Sequence, residues 1–229
     1  MVDGVAEAAE RLGRDRGLLE HSSTAERTAA ILRRHITQGL FKPDARLAED
    51  VIGNALGVSR NTLREAFRLL SHERLLVHKL NRGVFVRALT AADVRDLYRI
   101  RRLVECAAVG DASPPAEEGL AGLREAVGAA EKAAEEERWG DVGTANMEFH
   151  QAVVDLMGSP RTTELMSQVL AELRLGFLVV TDPRAFHGRY LPRNRRILGL
   201  IEAGDVEGAR AALTDYLDDA EATLLKAYA

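Results

Sequence analysis

Leu56-Gly57-Val58-Ser59-Arg60-Asn61-Thr62-Leu63-Arg64-Glu65-Ala66 joins the end of one helix to the start of another. Gly57 can take the left-handed conformation that ends a helix over roughly 48–56. Val58 fills the space between the two helices, and Ser59 is a good N-cap for the second. That second helix is expected from Arg60 to about Ser71, burying Leu63, Ala66, Phe67 and Leu70 at helical spacing. Arg60, Asn61, Arg64 and Arg68 are left on its outer face.

Upstream, a helix starts near Thr24 with an apolar face of Ala29, Ile31, Leu32 and Ile36, and Gly39 is a plausible stop. Phe41-Lys42-Pro43-Asp44 reads as a turn and Arg46-Leu47 as a short extended piece. In the helix over 48–56, Val51, Ile52 and Leu56 are expected to face inward. Downstream, Leu75 to Leu80 and Val84 to Val86 flank Asn81-Arg82-Gly83, which predicts a β-hairpin. Helix, tight turn, helix and hairpin make a winged helix-turn-helix over residues 24–89.

The 229 residues carry a net charge of −4, which as one number argues against a polyanionic partner. Divided along the chain it does the opposite. Residues 24–90 hold 12 Lys or Arg against 6 Asp or Glu, whereas residues 91–229 hold 16 against 24. A basic first third therefore points to double-stranded DNA. Arginine at the start of a helix in the major groove can read guanine, and asparagine can read adenine. Candidate contacts are Arg46, Ser59, Arg60, Asn61, Thr62, Arg64 and Arg68, with Asn81, Arg82 and Gly83 on the wing. The competing reading, an ordinary solvated helix face, suits any one arginine but not the four-residue face beside a basic wing.

Residues 1–23 read as a loosely ordered arm, and residues 90–229 as helices only, near 91–110, 115–137, 139–157, 161–180, 190–203 and 205–227. The fold class is thus mainly α, a winged helix-turn-helix followed by an all-α bundle. Cys106 is the single cysteine, which excludes a disulfide framework and a cysteine zinc site. No apolar run is long enough to span a bilayer and the N-terminus lacks a signal-peptide pattern, so a cytoplasmic protein with no membrane partner is expected.

Phe41-Lys42-Pro43, Arg46-Leu47-Ala48-Glu49, Leu56 to Ala66 and Asn81-Arg82-Gly83-Val84-Phe85-Val86 resemble the DNA-binding domain of GntR-family transcription regulators. Asp44 departs from the family, which usually places glycine after the proline. Leu97-Tyr98-Arg99-Ile100-Arg101 with Glu105, Asn146-Met147-Glu148-Phe149-His150, and Ile201-Glu202-Ala203-Gly204-Asp205 with Ala209 are similar to the helical C-terminal (FCD-type) domain of its FadR-like branch. The resemblance implies a homodimer on a pseudo-palindromic operator, governed by a small metabolite in the bundle.

Read by periodicity alone, Arg101, Asn146, His150, Arg174, Asn194 and Tyr216 lie on or at the edge of inward stripes of different helices. Each taken singly is a satisfied core or edge residue; together they suggest a shared polar cavity that binds an effector. Arg101 and Arg174 would grip a carboxylate or phosphate of an organic acid, or else form internal ion pairs with Glu105 or another acid. In many relatives this cavity holds a divalent metal on an Asp, a His four residues later and two further His. The matching positions here are Asn146, His150, Asn194 and Tyr216, so no tightly bound metal or other cofactor is expected. An enzyme in the helical domain is disfavoured: there is no phosphate-binding glycine loop, HExxH or nucleophile elbow, and Glu148 projects away from Asn146 and His150. A DNA-binding regulator without an effector is the other alternative.

Overall fold

A computed structural model describes residues 23–111 and 117–228. The chain is mainly α, with a winged helix-turn-helix followed by a helical bundle. Helix α1 (Thr24–Thr37) starts in a capping box. Ser23 Oγ accepts from the Glu26 amide and the Glu26 carboxylate accepts from the Ser23 amide. The arm expected over residues 1–23 otherwise lies outside the described residues. Strand β1 (Arg46–Leu47) leads to α2 (Glu49–Leu56), then α3 (Arg60–His72), β2 (Leu76–Lys79) and β3 (Gly83–Val86). The sheet order is β1-β3-β2, antiparallel throughout, with Leu47 opposite Val84 and Val77 opposite Phe85.

Two inward assignments need correction. Ile31 is 38% exposed, because α1 turns Ala25, Thr28, Ala29, Leu32 and Ile36 toward α3 and leaves Ile31 off that stripe. Val51 is 67% exposed, since α2 buries Ile52 and Gly53 instead. Gly57 has φ +63° and its amide bonds back to Asn54, the left-handed stop that the α2–α3 turn requires. Asp44 also has φ +64°, which explains why glycine suits this position. Asp tolerates the left-handed region better than most residues, and here its carboxylate accepts from Lys79 across the sheet.

The bundle comprises α4 (Ala91–Asp111), α5 (Glu117–Glu135), α6 (Trp139–Asp155), α7 (Pro160–Phe177), α8 (Pro183–Gly188), α9 (Leu191–Glu202) and α10 (Val206–Leu225). The periodicity missed α8. Asp182 caps it and Pro183 opens it, but six residues are too few to show a helical period. Helix α6 lies centrally, packed against α4, α5, α7 and α8. One apolar core runs from Ala29 in α1 to Leu224 in α10, so the winged domain sits on the bundle through α1 and α7. Polar links cross the same junction. Arg87, after β3, donates to Glu172 of α7 and to Asp93 of α4, both at 2.6 Å. No helix among the described residues is long and apolar enough to cross a membrane.

Candidate functional site

Two separate groups of polar side chains stand out. The first lies on the winged domain. Arg46, Arg60, Arg64, Gly83 and Val84 line one hollow between the start of α3 and the β2–β3 wing. Ser59 is occupied as the α3 cap, its Oγ accepting from the Thr62 amide at 3.1 Å and lying 2.8 Å from the Thr62 hydroxyl. Those two residues therefore aim the helix, while the exposed Arg60, Asn61 and Arg64 present side chains from its first turns. Asn81, with φ +57°, and Gly83, with φ +99°, shape the exposed wing tip, and Arg82 stacks over Phe85. Arg68 lies further along α3 and pairs with Glu65.

Sequence reasoning did not foresee that α2 supplies acidic partners to this face. Arg64 Nε donates to Glu49 at 2.9 Å, and Arg60 lies 3.1 Å from Asp50. The pairs are solvent-exposed, so each contributes at most about 1 kcal/mol and can be exchanged for an external anion.

The second group is buried in the bundle, where Arg101, Asn146, His150, Asn194 and Tyr216 come together. Arg101 Nε donates to Glu105 at 2.7 Å, and the other Glu105 oxygen lies 2.7 Å from His150 Nδ1. Burial opposes ionisation of Glu105, yet Arg101 and His150 outweigh it and hold the carboxyl below its ordinary range. Burial pushes His150 down, so it is neutral near pH 7 with its Nδ1 proton on Glu105 and a bare Nε2. Asn146 Oδ1 accepts from both Asn194 Nδ2 (2.7 Å) and Tyr216 (2.8 Å). Tyr98, which the periodic reading passed over, covers Arg101 with its ring at 5.0 Å.

Four buried atoms of this cluster lack a hydrogen-bond partner among the described residues: Tyr98 Oη, Arg101 Nη2, His150 Nε2 and Asn194 Oδ1. Arg101 Nη2 donates, His150 Nε2 and Asn194 Oδ1 accept, and the Tyr98 hydroxyl can do either. Native interiors rarely leave such groups unpaired, so a concentration of them marks a place for a bound polar molecule. A divalent cation does not fit this donor set. Tyr216 is held protonated by burial, Asn146 Oδ1 is already doubly engaged, and His150 offers one imidazole nitrogen. No cluster of three His, Cys, Asp or Glu suited to a metal occurs among the described residues.

Arg174 is not part of this cluster. It reaches the winged domain, donating from Nε to the Thr37 carbonyl at 3.1 Å and from Nη2 to the Gly140 carbonyl and Thr144 hydroxyl. Its remaining edge approaches His187: a Cβ placed on Gly143 would lie 2.6 Å from Arg174 Nη1 and 2.7 Å from His187 Nε2. His187 is 5% exposed between the rings of Phe177 and Phe186, and its Nδ1 has no partner among the described residues. Burial, reinforced by Arg174, takes this imidazole from its ordinary 6.5 to about 4. Below pH 6.5 the unfolded chain takes up a proton here that the folded protein refuses. Stability should therefore fall between pH 6.5 and 4, by on the order of 3 kcal/mol at the limit. Urea titrations should show that slope reduced in His187→Gln; parallel curves for the variant and the parent would refute the assignment.

Comparison with known proteins agrees with this architecture. Residues 24–86 match the bacterial regulatory proteins of the gntR family, and residues 96–219 match the FCD domain. A crystal structure described as a GntR transcriptional regulator from Rhodococcus sp. RHA1 is 47% identical with a TM-score of 0.86, over 91% of this chain and 100% of that one. The HTH-type transcriptional regulator YdhC of Bacillus subtilis is 34% identical over 60% of this chain, an alignment spanning 62% of that relative. The HTH-type transcriptional repressor RspR of Escherichia coli is 27% identical over 82% of this chain and 83% of its own. These relatives are named as regulators, not enzymes. The chain belongs to the GntR family of bacterial regulatory proteins, with an FCD domain as its helical bundle.

Proposed function

We propose that this protein is a cytoplasmic, homodimeric transcription regulator that binds a pseudo-palindromic operator and responds to a small organic acid held in the bundle. The boundary between its two tasks falls near residue 89. The observation that carries the reading is the pairing of two unlike sites in one chain. Arg46, Arg60 and Arg64 face one hollow beside the wing, and four unpartnered polar atoms are buried in the bundle.

The first site suits DNA, with arginine forks for base edges and phosphates. The second narrows the effector. Arg101 Nη2 and the Tyr98 hydroxyl offer hydrogens to a carboxylate, while His150 Nε2 and Asn194 Oδ1 call for hydroxyl hydrogens. A compact hydroxy acid or sugar acid supplies both. Helix α6 carries Asn146 and His150, and it also carries Thr144, which Arg174 links to the Thr37 carbonyl of the winged domain. A shift of α6 on ligand binding is thereby transmitted to the DNA-binding face, and the coupling must run in both directions.

The test has two arms. Fragments retained from a random DNA pool should share a two-fold symmetric sequence; no enrichment would dispose of the operator reading. A thermal-shift panel of hydroxy and sugar acids should yield a stabilising ligand. Tyr98→Phe should lose that stabilisation while leaving the melting point of the free protein unchanged, because the hydroxyl has no partner there. A shift of equal size in the variant would remove the effector from this cluster.

A further inference from the structure

Between α1 of the winged domain and helices α6 and α7 of the bundle lies an open cleft of about 360 Å³. That is within the range of roughly 300–1,000 Å³ typical of small-molecule sites. Its wall is mostly apolar, formed by Ala30 of α1, Met147 of α6, and Leu170 and Ala171 of α7. Of its six polar residues three are arginines, Arg33, Arg34 and Arg174, and none is acidic. Arg33 is already matched to Glu73 by a two-pronged pair, but Arg34 and Arg174 have no carboxylate partner among the described residues.

Arg174 is the unusual one. It is largely shielded from solvent, and all its hydrogen bonds go to neutral acceptors: the carbonyls of Thr37 and Gly140 and the Thr144 hydroxyl. The neutral His187 imidazole is its other polar neighbour. Burial without an anion disfavours the charged guanidinium. A charge placed so, at the end of an apolar cleft, calls for an external anion with a hydrocarbon body.

We infer that this cleft is a second ligand site, distinct from the buried cluster around His150, and that it takes an amphipathic monocarboxylate. The carboxylate sits on Arg34 and against the positive charge of the Arg174 guanidinium, whose own N–H groups face Thr37, Gly140, Thr144 and His187, and the alkyl chain lies along Ala30, Met147, Leu170 and Ala171. Because these residues come from both domains, such a ligand bridges α1 to the bundle and fixes the winged domain against it. The site does not depend on the DNA reading or on the identity of the bundle effector.

Sodium octanoate serves as the probe, measured by calorimetry on the full chain, with octan-1-ol as the uncharged control. Octanoate should bind at one per chain and octanol about tenfold more weakly or worse. Ala30→Phe fills the cleft from an exposed α1 position without touching the core, so it should abolish binding while the protein stays folded. Arg174→Met should weaken octanoate about tenfold and bring it to the level of octanol. Tyr98→Phe should leave octanoate binding unchanged. Equal affinity in Ala30→Phe, or equal binding of octanol and octanoate, overturns the site. Loss in Tyr98→Phe relocates the probe to the buried cluster and overturns it too, as does the absence of any binding at millimolar concentrations.

Discussion

Replacing Glu105 with leucine should cost this protein about 3–5 kcal/mol of stability, the cost of stripping a buried cation of its counter-ion. Glu105 serves two partners at once. One oxygen accepts from Arg101 Nε at 2.7 Å and the other faces His150 Nδ1 at the same distance, all three side chains being buried. Among the described residues Arg101 has no second acid to turn to, since its Nη2 is already unpartnered and its other close neighbour is the Tyr98 ring. For a chain of this size the loss corresponds to a fall in melting temperature on the order of 10 °C. The double variant Arg101→Met/Glu105→Leu should regain much of it, because an apolar pair of similar volume needs no counter-charge. Denaturant titrations of the two singles and the double complete the cycle. A cost below about 1 kcal/mol for Glu105→Leu would show that the guanidinium is neutralised by something other than Glu105.

The same pair also shapes what the bundle can bind. Arg101 and the ionised Glu105 cancel, and His150 is neutral, so the cluster carries little net charge. Under the proposed effector reading, an incoming carboxylate would be held by directed hydrogen bonds from Arg101 Nη2 and Tyr98 rather than by a strong field. That favours a ligand whose hydroxyls also satisfy His150 Nε2 and Asn194 Oδ1. Recognition through unpaired buried groups is selective, since a ligand lacking one of those hydroxyls leaves a polar atom stranded.

The winged domain was legible in the sequence because its signals are local. A left-handed glycine at 57, a serine cap at 59 and a stripe of Leu63, Ala66, Phe67 and Leu70 lie within one short segment. The bundle cluster was legible in part. Asn146 and His150 announce themselves as polar groups on an inward face, and Glu105 follows Arg101 by one helical turn. Tyr98 gives no such signal, because a tyrosine on a core stripe passes for packing until its hydroxyl is seen to lack a partner. Arg174 shows the limit most plainly. Its flanking Leu170 and Phe177 indicate that it points inward, but periodicity carries no information about which of two neighbouring domains it meets. His187 sits in a helix too short to have a period at all.

Arg60→Ala/Arg64→Ala should weaken operator binding by about a hundredfold or more, with each single change costing about tenfold. A well-made base contact contributes ~1–3 kcal/mol, and the two side chains leave α3 one turn apart on its exposed face. Their acidic partners determine how clean this test is. Asp50 and Glu49 hold Arg60 and Arg64 beside the wing in the free protein, but such exposed pairs are worth at most about 1 kcal/mol each. Breaking them to reach DNA therefore takes little from what the arginines contribute once they meet the bases. Removing the arginines should leave the melting point almost unchanged, which separates lost recognition from lost folding. The acids supply a second arm of opposite sign. Glu49→Gln/Asp50→Asn frees both arginines and removes two negative charges from the proposed DNA-binding face, so affinity for DNA of any sequence should rise, most visibly at low salt. The double arginine variant should instead lose the distinction between operator and unrelated DNA, because a phosphate contact is indifferent to sequence and a base contact is not. Footprints that survive intact in that variant would move recognition away from the start of α3. The remaining reader would then be the wing, whose exposed Arg82 and Gly83 would be the residues to reach the backbone or the minor groove.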